Sequence, residues 1–207
     1  MKLIILGIQG SGKGVQGKLI AEIFNLKHIS TGDLLRNEIS TQSELGKEIS
    51  SYIDKGNLVP NSLINKIFFK HLPKDNFILD GYPRNKEQVE FLEKINPPDK
   101  IIYLDIQEKV VYERLAVRIQ CKKCGTIYGK NKTPEKEGIC DECQSKLERR
   151  KDDSSDEAIK KRIDLFNQET LPILKFYDSR VIRINGNQSV EDVFEDIRKK
   201  LENSKEH

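Results

Sequence analysis

Residues 2–14 read Lys2-Leu3-Ile4-Ile5-Leu6-Gly7-Ile8-Gln9-Gly10-Ser11-Gly12-Lys13-Gly14. The apolar run Leu3–Leu6 has the length of a buried strand, and a helical pattern follows from Val15. Between them lies a glycine-rich turn that ends in a lysine. This is the form of a phosphate-binding loop. Glycines let backbone N–H groups converge on phosphate oxygens, the next helix points its positive end inward, and Lys13 reaches the β/γ-phosphates. A plain strand-to-helix connection would explain the glycines but not the lysine in register. Gly14 stands where the general motif has a Ser or Thr to hold Mg²⁺, which narrows the branch of phosphate-loop proteins.

Outward from the loop, short strands alternate with amphipathic helices, the pattern of a parallel sheet covered on both faces. The first helix carries Leu19, Ile20 and Ile23 inward, and a short strand follows around His28-Ile29. Ser30-Thr31-Gly32-Asp33-Leu34-Leu35-Arg36 opens a small helix with Thr31 as N-cap and Leu34, Leu35 and Ile39 on its apolar side. A second small helix, capped by Ser43, carries Leu45, Ile49 and Ile53 and stops near Gly56. These two helices read as a subdomain over a site. A helix opens at Asn61 with Leu63, Ile64, Ile67 and Phe68 inward, and strand Phe77-Ile78-Leu79 runs into Asp80-Gly81-Tyr82-Pro83-Arg84. Ligands of open parallel sheets bind at the carboxyl ends of strands, so Asp80 and Arg84 belong near Lys13.

Strand Ile101–Asp105 and a helix with Val110, Val111 and Leu115 come next. From Gln120 to about Glu148 the periodicity collapses, and it resumes at Asp156 with a long helix to about Asp178, kinked at Pro172. Strand Val181–Ile184 precedes a last helix, capped by Ser189, with Val190, Val193, Phe194 and Ile197 inward. The polar tail from Glu202 is expected to fray.

The interrupted segment holds all four cysteines as Cys121-x₂-Cys124 and Cys140-x₂-Cys143, the spacing of two knuckles that meet on one zinc. Four thiolates close a tetrahedral shell, so such a metal is structural. The alternatives are free thiols, a C-x-x-C redox pair, or a zinc knuckle that binds nucleic acid through Lys122, Lys123, Lys130 and Lys132. With Ile127, Tyr128 and Ile139 as its large apolar residues, the segment has little core to fold around.

The whole chain of 207 residues carries 36 basic and 33 acidic side chains, a net charge of +3 too balanced to imply nucleic acid. No apolar run approaches the roughly 18 residues that cross a bilayer, and Leu3–Leu6 is too short for a signal peptide. The expectation is a cytosolic protein with no membrane or nucleic-acid partner, and a monomer by default. Arg36, Arg84, Arg114, Arg118, Arg150 and Arg162 sit beside the loop, the strand ends and the insertion, which suits transfer of a charged phosphoryl group. The three histidines, His28, His71 and His207, lie outside these motifs. An acceptor that is itself a phosphate is ionised and needs no general base.

Taken in order, these motifs resemble bacterial adenylate kinases of the long, zinc-lid type, over essentially the whole chain. The matching stretches are Gly7–Gly14, Ser30–Arg36, Leu79–Arg84 with Gln88, the four cysteines, and Arg150-Lys151-Asp152-Asp153. The resemblance implies a three-layer α/β P-loop fold with a five-stranded parallel sheet. It implies a core of 1–29, 60–118 and 156–207, a helical AMP-binding subdomain over 30–59 and a zinc-stapled lid over 119–155. It further implies Mg²⁺-dependent transfer from ATP to AMP to give two ADP. Gly10, Ser11, Gly12, Lys13, Gly14, Val15, Arg114 and Gln188 would contact ATP. Thr31, Arg36, Val59, Gly81, Arg84, Gln88, Arg150 and Arg162 would contact AMP. Asp80 would order water around Mg²⁺. Arg118, Arg150 and Arg162, organised by Asp152 and Asp153, would join Lys13 and Arg84 around the transferring group.

The chain departs from the family at Gln9, where proline is usual, at Val15, where threonine is usual, and at Ser154-Ser155, which lengthens the run from Arg150 to Arg162 by one residue. Two other readings compete. One is a sister kinase that uses UMP or CMP, which Thr31 argues against because those relatives usually carry a smaller residue. The other is a nucleotide switch without catalysis, which intact Lys13, Asp80 and Arg84 argue against.

Overall fold

The computed structural model describes residues 1–54, 57–130, 132–150, 153 and 155–203; the expectations on Gly56, Lys151, Asp152, Ser154 and His207 lie outside them. The chain begins with β1 (Lys2–Gly7), α1 (Lys13–Ile23), β2 (Lys27–Ser30), α2 (Thr31–Ser40), α3 (Glu44–Ile53) and α4 (Asn61–Phe68). It continues through β3 (Phe77–Asp80), α5 (Lys86–Ile95), β4 (Lys100–Asp105) and α6 (Glu108–Ala116). The insertion supplies β5 (Ile119–Cys121), β6 (Ile127–Tyr128) and β7 (Leu147–Arg149). Then come α7 (Asp156–Leu165), a π-helical turn (Phe166–Thr170), α8 (Ile173–Tyr177), β8 (Val181–Asn185) and α9 (Val190–Asn203).

The main sheet has five strands in the order β2-β3-β1-β4-β8, each pair parallel. Successive side chains on a strand point to opposite faces, and here both faces are covered. Leu3 and Ile5 pack with Ile20 of α1 and Val193, Ile197 and Leu201 of α9. Ile4 and Leu6 pack with Ile64, Phe68, Val89 and Leu115 on the other side. Burial on two faces is why the strands read as continuous apolar runs. Leu3, Ile4 and Ile5 are fully buried, and burial of each contributes about 1.5–3 kcal/mol.

Several local expectations are corrected. Helix α1 begins at Lys13 rather than Val15, and Ile23 is 60% exposed; burial passes instead to Gln16, Gly17 and Ile20, and then to Leu26 beyond the helix. Ser30, not Thr31, caps α2, its side chain accepting from the Asp33 N–H at 3.3 Å, and Thr31 is the first helical residue. Leu35 of α2 and Ile49 of α3 are buried, as members of the larger apolar cluster. The helix after the insertion breaks before Pro172: Leu171 N–H donates to the Phe166 carbonyl at 2.8 Å, a five-residue π bond, and α8 follows. Ser189 accepts from the Asp192 N–H at 3.1 Å, as a cap for α9 should. No described helix is long and apolar enough to cross a membrane.

The cysteine segment is more regular than its sequence suggests, with an antiparallel sheet in the order β6-β5-β7. Its buried centre is Cys121, Tyr128, Cys140 and Leu147. Leu147 joins this centre although no apolar pattern in the segment marks it.

Candidate active site

Parallel register brings the decisive residues to one edge of the sheet. Ser30 lies opposite Asp80, and Asp80 lies opposite Ile5, so the ends of β2 and β3 flank the loop that leaves β1 at Gly7. Gly12, at φ 98°, is the N-cap of α1 and offers no side-chain cap, so the first N–H groups of α1 remain for a ligand. A left-handed residue there is cheap only as glycine. Lys13 folds back, its ammonium donating to the carbonyls of Gly7 (2.5 Å) and Ile8 (2.9 Å). Burial lowers its pKa to about 8; Asp80 opposes the shift, and Arg84, Arg162 and Arg118 add to it.

A cleft opens over this loop, lined by Gly7, Gln9, Lys13, Thr31, Arg36, Val59, Gly81, Arg84, Gln88, Arg162 and Thr170 among others. The structure thus gathers Lys13 with Thr31, Arg36, Val59, Gly81, Arg84, Gln88 and Arg162. The one-residue extension before Arg162 does not remove it from the cleft. Arg36 is held by Asp33 at 2.5 Å. Burial acts to raise the Asp33 pKa, but Arg36 together with the Arg36 and Ser30 hydrogen bonds leaves it lowered. Arg84 donates from Nε to the Gly81 carbonyl at 2.8 Å, and its guanidinium lies so close over Gly81 (φ 80°) that a Cβ there would meet it at 3.0 Å.

Gln88 accepts from the Arg84 N–H at 2.7 Å and donates to Asn61 Oδ1 at 2.5 Å, while Asn85 caps α5 through the Gln88 N–H. The peptide bond between Tyr82 and Pro83 in this loop is cis.

The remaining predicted residues surround the cleft without lining it. Asp153, fully buried, accepts from Arg118 Nε at 2.8 Å and from Arg162 at 2.7 Å, linking two of the arginines. Arg150 donates to Gln120 Oε1 within the insertion. Asp80 lies 3.6 Å from where a Cβ on Gly14 would sit. Ser11 is buried with its hydroxyl unpartnered, and Val15 is exposed. Arg114 reaches around the loop to the carbonyls of Gly10 (3.4 Å) and Gly186 (3.0 Å). Nearby, Gln188 donates to the Asn185 carbonyl and to Asp196.

His28, set aside in the sequence, is brought to the site by the β2–β3 pairing. Its Nε2 is 3.8 Å from Asp80 Oδ2 and packs so closely on Gly17 that a Cβ there would lie at 2.6 Å. Burial lowers its pKa, against the opposing charges of Asp80 and Asp33. Asn61, Gln120 and Thr170 were also missed, since no local signal marks a polar residue whose partner is far away in the chain. A wider groove of about 840 Å³ at the outer edge of β8, lined by Tyr103, Arg183 and Lys200, contains none of the loop residues.

In the insertion, the four cysteine sulfurs all lie within 4.8 Å of one another, with Cys121–Cys143 and Cys124–Cys140 each at 3.4 Å. A tetrahedral zinc with sulfur ligands needs sulfur–sulfur edges of roughly 3.8 Å, so the donor set fits one such ion. Tyr128 adds a buried hydroxyl, 3.5 Å from Cys140 Sγ, that also accepts from the Asp141 N–H. For Mg²⁺, the Asp80 carboxylate beside Lys13 is the hard oxygen donor of the right kind.

A family model described as adenylate kinase matches residues 5–182. The chain is 41% identical to an adenylate kinase of Clostridium acetobutylicum, over 97% of this chain and 99% of that protein. It is 40% identical to adenylate kinases of a Thermoanaerobacter species and of Lactobacillus johnsonii, in each case over 97% of this chain and 98% of the relative. A match of this extent, over a glycine loop, strand-end aspartate and arginine-lined cleft that the fold brings together, leads to one conclusion: the chain belongs to the adenylate kinase family.

Proposed function

We infer that the protein transfers the terminal phosphoryl group of ATP to AMP, reversibly and with Mg²⁺, to give two ADP. The observation that carries this reading is the convergence of Lys13, Arg36, Arg84 and Arg162 on one cleft above the uncapped start of α1. Phosphoryl transfer demands little covalent chemistry from the protein and much positioning and charge stabilisation.

In this reading Gly10, Ser11, Gly12, Lys13, Gly14 and Val15 hold the ATP phosphates, with Arg114 and Gln188 on the nucleoside side. Arg36 and Arg84 clamp the AMP phosphate, and Thr31, Val59, Gly81 and Gln88 face the rest of that nucleotide. Arg118, Arg150 and Arg162 neutralise charge on the group in transit, and Asp153 holds two of them. Asp80 would orient the hydration of Mg²⁺, which supplies charge neutralisation at the phosphates. No side-chain base is required, because the attacking oxygen belongs to an ionised phosphate.

The segments divide in the same reading into a core of 1–29, 60–118 and 156–207, an AMP-binding subdomain over 30–59, and a lid over 119–155. Adenylate kinases are a standard example of such lids, whose closure keeps water from the phosphoryl group. The four cysteines would hold zinc that folds the lid and takes no part in transfer. A cytosolic monomer suits the composition.

The test is ADP formation from ATP and Mg²⁺ with AMP, UMP, CMP and GMP offered separately. The expected result is a strong preference for AMP. Preference for UMP or CMP would retain the transfer but overturn the roles given to Thr31 and Gln88 at the acceptor nucleotide, and inactivity with every acceptor would overturn the reading.

A further inference from the structure

Thr170 is the last residue of the π-helical turn Phe166–Thr170 and is 7% exposed. A π turn gives up the tighter α-helical bonding and is concentrated at functional positions. A helical threonine can donate its hydroxyl proton to the carbonyl three or four residues earlier. Here the proton goes to the main-chain carbonyl of Arg84, at 2.8 Å.

Arg84 is braced from three directions. Its N–H donates to Gln88 (2.7 Å), its Nε donates to the Gly81 carbonyl (2.8 Å), and its own carbonyl accepts from Thr170 (2.8 Å). The first two braces are local, made to Gly81 in the same loop and to Gln88 in the first turn of α5. The third reaches the helical run that also carries Arg162. Arg84, Arg162 and Thr170 line the same cleft. The hydroxyl therefore couples the positions of two guanidiniums that reach the cleft from different segments.

We propose that Thr170 is a positioning residue for Arg84: its hydroxyl pins the Arg84 backbone to the π turn and so sets where that guanidinium meets the acceptor phosphate. The inference rests on the reading of Arg84 as an AMP-phosphate contact. Small displacements of a phosphate-binding group matter, because catalysis of this kind depends on orientation. A threonine that served packing alone would need its methyl group and volume, not its proton.

The test compares Thr170→Val, which keeps shape and removes the donor, with Thr170→Ser, which keeps the donor, and with Arg84→Ala. Each variant is assayed for KM of AMP, KM of ATP and kcat at a temperature well below its own melting transition. Thr170→Val is expected to raise KM for AMP about five- to tenfold, the size of one lost hydrogen bond. KM for ATP should stay within about twofold of the starting protein, as for a contact that serves one substrate. Thr170→Ser is expected to restore KM for AMP. If Thr170→Val does not fold, Thr170→Ala carries the same comparison.

Equal rises in both KM values, no change in either, or failure of serine to rescue would overturn the inference. If Arg84→Ala raises KM for AMP while Thr170→Val does not, the inference alone falls. If Arg84→Ala leaves it unchanged, the reading of Arg84 falls and the inference with it.

Discussion

The five-stranded sheet and the cysteine insertion solve the same problem by different means. In the sheet, Leu3, Ile4 and Ile5 of β1 and Phe77, Ile78 and Leu79 of β3 are completely buried, and two apolar layers close over them. In the insertion, the buried centre is two cysteines, a tyrosine and a leucine. Apolar burial at about 25 cal/mol per Å² can hold the first, but it leaves the second short, and a metal bound by four thiolates would make up the difference. The contrast shows where each kind of residue belongs. The glycine loop leaves β1 of the buried sheet, and Arg118 and Arg150 lie at the two ends of the insertion.

The largest expected effect tests the loop on the buried sheet. Lys13→Ala should lower turnover by about 10³-fold or more, in the upper range for loss of one charge-stabilising donor, with the far-ultraviolet circular dichroism spectrum unchanged. Near-normal activity would detach the loop from the chemistry. Next, Ile4→Ala should destabilise the sheet by about 2–5 kcal/mol in urea unfolding and leave the bound-zinc stoichiometry untouched. Cys140→Ser should do the reverse, losing zinc and thermal stability while costing far less activity at low temperature. If metal analysis of protein produced with zinc supplied finds none, the metal-held half of the comparison fails.

The smallest effect concerns pH. Burial brings the Lys13 pKa down to about 8, so its ammonium is charged below that pH and neutral above it in the free protein. Phosphate binding needs the charged form. kcat/KM for ATP, which reports the free enzyme, should therefore fall about tenfold per pH unit above about pH 8, while kcat at saturating ATP stays flat further into the alkaline range. The linked effect on stability has the opposite sense. A lysine whose pKa is lower when folded than unfolded penalises folding below about pH 8, and that penalty is relieved as pH rises toward about 10.4. Urea titrations of the starting protein and Lys13→Met should converge across that window.

How much was legible in the sequence also follows the contrast. β1, the glycine loop, the end of β3 and the paired cysteines are each encoded locally, by a run of adjacent residues or a fixed spacing, and each emerged where expected. His28 did not, because its relation to Asp80 exists only once β2 pairs beside β3. Asn61 reaches Gln88, and Thr170 reaches Arg84, across gaps in the chain that no periodicity records. The sequence places a kink at Pro172, whereas the helix widens earlier, from Phe166. The small sheet of the insertion was hidden because β6 has only two residues and β7 only three, too few for an alternating pattern to register.

The most direct test of the central claim, that burial holds the catalytic part and metal holds only the insertion, is amide hydrogen exchange of the same protein before and after zinc extraction, with turnover measured in parallel at low temperature. The account predicts that amides of β5, β6 and β7 lose protection while those of β1, β3 and β4 keep theirs, and that most of the low-temperature activity survives. Loss of protection in the main sheet together with the insertion, or turnover that falls in proportion to the zinc removed, would contradict it.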